Sequence, residues 1–77
     1  MRNIMKYDYG QAVLCKLATE DGIVMTRPGS VVSITSVNTA EQAEAFGYPL
    51  GTVVYTVEFG DGSDKSVSEG DLDDFPG

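Results

Sequence analysis

Residues 51–59 read "GTVVYTVEF", and the alternation in this stretch constrains the chain more than any other feature. Val53, Tyr55, Val57 and Phe59 fall on one face, while Val54, Thr56 and Glu58 fall on the other. A period of two in β-branched and aromatic residues marks a half-buried strand. Such a strand is not stable alone and needs partners that bury the same face. Three further runs offer them. The first is "YGQAVLCKL" at 9–17, closed by "TEDG". The second is "GSVVSITSV" at 29–37, introduced by the turn signal "RPG". The third is "DKSVSEGDL" at 64–72, short and polar, with Val67 and Leu72 as its large apolar anchors. Between residues 59 and 65, "GDGSD" supplies the glycines of a hairpin. Gly29, Gly51, Gly60, Gly62 and Gly70 read as turn and bulge residues.

One interruption is helical. "TAEQAEAF" at 39–46 is rich in alanine and glutamate, and Thr39 with Gln42 has the spacing of a capping box. "GYP" then ends it, because proline disfavours a helical residue before it. Two turns are marginal in isolation, so the helix is expected to pack on the sheet through Ala40, Ala43 or Phe46.

With 77 residues the chain is expected to form a single domain over 1–77. Short strands, glycine-rich turns and one short helix point to an all-β fold, a small SH3-like antiparallel barrel or strongly bent sheet. Rolling the sheet hides strand edges. Val13, Val32, Ile34, Val53, Tyr55, Val57, Phe59 and Leu72 are expected inside. The closing "DDFPG" is expected to fray, with Phe75 able to dock.

The formal charge is −7. It is unevenly placed, because residues 1–57 hold five acids against four bases, whereas residues 58–77 hold seven acids against Lys65 alone. The closing segment therefore does not suit direct contact with nucleic acid. A basic protein is its natural complement. The candidate binding residues are Glu58, Asp61, Asp64, Glu69, Asp71, Asp73, Asp74 and Phe75. Interleaved Phe59, Leu72 and Phe75 would give such a surface an apolar centre with an acidic rim. On residues alone, a solvated skin that keeps a small domain soluble explains the acids equally well.

Chemistry of its own is not indicated. Histidine and tryptophan are absent. Ser30, Ser33, Ser36, Ser63, Ser66 and Ser68 therefore have no imidazole to activate them. Cys15 lies in an apolar run, where a free thiol behaves as a small buried hydrophobe. "DGSDKSVSEGD" lacks the ligand spacing of a calcium loop, and aspartates at turns are favoured for their local hydrogen bonds. No zinc set exists without histidine or a second cysteine. The glycines form no phosphate-cradling pattern. No catalytic residue, metal or cofactor is expected. A lone cysteine fits a reducing compartment, and "MRNIMKYDYG" carries no long apolar run, so neither a signal peptide nor a membrane span is expected and cytoplasm is the default.

The order of features resembles small all-β immunity proteins of bacterial polymorphic toxin systems. "MKYDYGQAVLCK", "RPGSVVSI", "GTVVYTVEF" and "SVSEGDLDDF" stand where one such family has an "FDFxxxVxV"-like strand, a glycine-containing turn and strand, a "YxVxF"-like strand and a terminal "ExDL". The counterparts here are residues 7–13, 29–34, 55–59 and 69–72. The inserted "NTAEQAEAFGYPL" and the lack of tryptophan depart from that pattern. The resemblance implies an antitoxin, monomeric before complex formation, that covers the active site of a cognate toxin, often a basic nuclease. The same strand grammar resembles SH3-like accessory domains, the NifZ-type nitrogen-fixation protein and the nitrile hydratase β-subunit. These imply instead an accessory role in metalloenzyme assembly.

Overall fold

A computed structural model describes residues 6–76. The opening "MRNIM", which bears on the expected lack of a leader and on the charge of Arg2, lies outside the described residues, as does Gly77. Five strands form one antiparallel sheet: β1 (Ala12–Ala18), β2 (Val24–Ser36), β3 (Val53–Phe59), β4 (Asp64–Ser68) and β5 (Leu72–Asp74). A helix, α1 (Ala40–Phe46), is inserted between β2 and β3, and a 3-10 turn over Glu69–Asp71 joins β4 to β5.

The strand order is β4-β3-β2-β1-β5, so this 3-10 turn connects the two edges of the sheet. In a flat five-stranded sheet the edges lie about 19 Å apart, at about 4.8 Å per strand. The four steps from Ser68 to Leu72 span at most about 14 Å. The sheet therefore rolls up. Its concave side holds the core, in which Tyr7, Val13, Cys15, Val31, Tyr55, Val57, Phe59, Val67 and Leu72 pack together.

The alternation of β3 holds as expected, with Tyr55, Val57 and Phe59 buried and Val53 half-buried against them. Val54 is also buried, on the opposite face. The Tyr48 hydroxyl accepts from the N–H of Ser68, the cross-strand partner of Val54, which ties the segment after α1 to the β4 edge of the sheet.

Strand β2 departs from expectation in three ways. It begins at Val24 and runs straight through "RPG". Proline is tolerated there because β3 reaches only to Gly29, which leaves β2 a neighbour on one side at Pro28. Gly29 is no turn residue: it pairs with both Val13 and Phe59, and a Cβ there would sit 2.5 Å from Val57 Cγ1. Val32 is not a core residue. Val31 pairs with Val57 and Ser33 with Thr56, so Val32 is the extra residue of a β-bulge and is 48% exposed. The bulge moves the inward positions of β2 from odd to even numbers. That places Val31 in the core and Ile34 beside it, half-buried.

Helix α1 has the expected N-cap, because Thr39 Oγ1 accepts from Gln42 N–H at 3.1 Å. Gln42 Oε1 accepts in turn from Asn38 N–H, one residue before the usual capping-box partner. Gly47 closes the helix with φ 75°. None of its residues is fully buried, but Ala43 and Phe46, two of the three expected to pack, are half-buried. Residues 73 and 74 do not fray either. They extend β5 along β1, with Asp73 opposite Leu14 and Asp74 opposite Val13.

Candidate functional site

The β3–β4 hairpin turns through Gly60–Ser63, closed by Phe59 N–H donating to Ser63 O at 2.8 Å. Asp61 is its hub. Its Oδ1 accepts from the Ser63 N–H at 2.9 Å and the Ser63 hydroxyl at 2.6 Å. Its Oδ2 lies 3.0 Å from Arg27 Nη2. The two bonds from Ser63, with Arg27 behind them, hold the Asp61 carboxyl well below the usual carboxylate range. Arg27 also stacks on Phe59, its Cζ 4.5 Å from the ring centroid. One guanidinium thus clamps the hairpin turn to β2.

The candidate acids do not form one cluster. Glu58 and Asp64 face each other directly across β3 and β4. Asp61 stands at the turn beside them. Glu69 and Asp71 lie on the 3-10 turn, while Asp73 and Asp74 lie on β5. Two of the seven are already engaged by cations, Asp61 by Arg27 and Asp73 by Lys16 at 3.5 Å. Sequence reasoning missed Arg27 and Lys16 as partners, since each comes from a different strand. The "GDGS" string carried the one local signal, an aspartate placed to bond the N–H two residues on.

A row of mutual partners crosses the convex face: Ala12 opposite Ser30, Ser30 opposite Glu58, Glu58 opposite Asp64. All four are exposed. Ala12, Ser30 and Glu58 line an open groove of about 590 Å³, completed by Gly60 and Gly62 of the turn and by Phe75 beyond β5. Phe75 is 44% exposed. The rolled sheet is what brings Phe75 to this row, because β5 runs back along β1 towards Val13.

Cys15 is fully buried. Burial pushes its thiol up from the ordinary range, against a smaller opposing pull from Lys65 and with a further push from Asp71. Among the described residues no group of three or more histidine, cysteine, aspartate or glutamate side chains is placed to hold a metal ion. Nor is any described helix long and apolar enough to cross a membrane. No protein-family model, curated protein or solved structure matches the chain.

Proposed function

We propose that this protein is a binding module of the immunity type, which neutralises a cognate toxin by covering a basic, nuclease-type catalytic surface with its acidic convex face. The observation that carries this reading is the Glu58–Asp64 pair. Two exposed carboxylates sit directly opposite each other on neighbouring strands, and no described cation pairs with either. Like charges so placed disfavour the free sheet. A cationic partner relieves that repulsion on docking. Asp73 lies on the same face, opposite Leu14, but is engaged by Lys16, whereas Asp74 stands opposite the core residue Val13 on the other face; Phe75 offers an apolar anchor. Glu69 and Asp71 contribute field at the other end of β4, not contact. The barrel acts as a cytoplasmic monomer until it meets its partner, with no cofactor and no chemistry of its own.

Charge complementarity of this kind accelerates association and makes it sensitive to salt. The test is co-expression with the toxin domain encoded beside its gene. Protection of the cells, and an association rate that falls steeply with added salt, are the expected results. Full protection by a folded variant carrying Glu58→Lys and Asp64→Lys would refute the role of this face. A gene set for nitrogenase or nitrile hydratase assembly around the coding sequence would support the accessory-domain reading instead.

A further inference from the structure

Arg27 shows how this fold holds a guanidinium. The cation is stacked on Phe59 at 4.5 Å and bonded to Asp61 at 3.0 Å. A planar guanidinium can stack and donate at once, which the compact ammonium of lysine does less well. The adjoining groove repeats both ingredients without the cation. Phe75 and Glu58 line it, no lysine or arginine is in its wall, and no described residue forms an ion pair with Glu58.

The geometry points to this groove as the docking site for an arginine-bearing segment of a partner protein, the guanidinium stacking on Phe75 and donating to Glu58. The inference rests on the reading above that the partner is a basic protein, and it names the side chain that is recognised. Three further features suit a segment of chain over a free ion. The groove is open and runs across residues of β1, β2, β3 and the β3–β4 turn, a shape that suits an extended segment. Gly60 and Gly62 leave open space where side chains would stand, so a partner backbone can come close to the turn. Asp64, opposite Glu58 on β4, adds a second carboxylate next to Glu58 outside the groove wall. A second copy of this chain is a poor occupant, because each carries −7.

The probes are acetyl-Gly-Arg-Gly-amide and its lysine counterpart, titrated into the isotope-labelled protein and followed by amide chemical shifts. Shifts centred on residues 12, 30, 58, 60, 62 and 75 are expected with the arginine peptide. Binding of the lysine peptide should be about tenfold weaker, as should binding of the arginine peptide to Glu58→Gln, the scale of one lost charged hydrogen bond. Phe75→Leu keeps apolar bulk but removes the ring, and should weaken the arginine peptide while leaving the residual lysine binding unchanged. Equal response to the two peptides, shifts centred on Glu69 and Asp71, or no saturable shift would each overturn the proposal. Toxin binding separates the two readings. A toxin held equally by wild type, Glu58→Gln and Phe75→Leu overturns the groove and leaves the partner class standing. Saturable arginine binding in a protein that gives no protection overturns the toxin reading alone.

Discussion

The ring of Tyr7 meets that of Tyr55 edge-on, with centroids 5.5 Å apart and planes at 83°. Both rings are buried, and each hydroxyl is put to use. Tyr55 Oη accepts from the N–H groups of Lys6 and Tyr7 at 3.0 and 3.4 Å, while Tyr7 Oη donates to the carbonyl of Leu72 at 3.0 Å. The pair ties the segment before β1 to β3 and the start of β5 to that segment. Tyr55→Phe keeps the packing but strands two backbone donors, and should cost about 1–3 kcal/mol. Urea unfolding measures it. A loss no larger than that of an exposed tyrosine would show that water replaces the hydroxyl.

The same burial sets a ceiling on alkaline stability. Desolvation raises the Tyr7 hydroxyl above its ordinary value of 10.0, against a smaller opposing pull from Lys6. For a group whose folded value is raised, the stabilisation is complete below the unfolded value and is lost as pH rises through the folded one. Melting temperature should therefore fall more steeply above pH 10 in wild type than in Tyr7→Phe.

Asp61 predicts the opposite limb. Its folded value is lowered, so its contribution is present above the ordinary carboxylate range and disappears as pH falls through the folded value. Asp61→Asn should flatten the acid side of the stability curve, and Arg27→Ala should flatten it less, because Ser63 supplies the larger share. Identical acid limbs in wild type and Asp61→Asn would rule out the clamp.

Gly29 is a packing constraint that its neighbours make plain. A methyl group there would sit 2.5 Å from Val57 Cγ1 and 2.8 Å from the carbonyl oxygen of Glu58. Backbone cannot yield as a side-chain tip can, so Gly29→Ala should cost about 1–3 kcal/mol, the range of overpacked cores. Gly60→Ala is the control, since nothing lies within 4 Å of a Cβ at that position. Equal stability of the two variants by thermal melting would contradict the register of β2 on β3.

The carboxylate pair links stability to binding with opposed signs. Asp64→Lys turns a repulsive cross-strand pair with Glu58 into an attractive one, and should stabilise the free protein by roughly 0.2–1 kcal/mol. The same substitution should slow association with a basic toxin and reduce its salt dependence. A variant both more stable and equally fast to associate would place the interface elsewhere.

Much of the sheet was legible because Val53, Tyr55, Val57 and Phe59 write their own periodicity into the chain. The β3–β4 turn was legible for the same local reason, its glycines standing between two strand patterns. Val32 was misread because a bulge shifts the phase of β2 by one residue, and only pairing with β3 reveals it. "RPG" looked like punctuation, yet strand pairing on one side overrides the local signal. The closing residues looked frayed because their partner, β1, lies at the other end of the sequence. At the candidate site, the eight residues were visible as a composition bias. Their separation into three places, and the capture of Asp61 and Asp73 by Arg27 and Lys16, follow from the rolled topology and have no trace in the linear order.

The join between the two sheet edges has a consequence for biosynthesis. Tyr7 and Leu72 are 65 residues apart, yet they bond to each other, and β1 has no neighbour on its outer side until β5 arrives. A nascent chain on the ribosome can form the β1–β2 and β3–β4 hairpins early, but the first strand must wait with an open flank until Leu72 has been synthesised. During that interval the unpaired backbone of β1 is a template for a neighbouring chain on the same polysome. Release from that hazard comes only once β5 has been made and pairs with β1, so a stop introduced at Asp71 should yield aggregates and not a slightly weakened monomer.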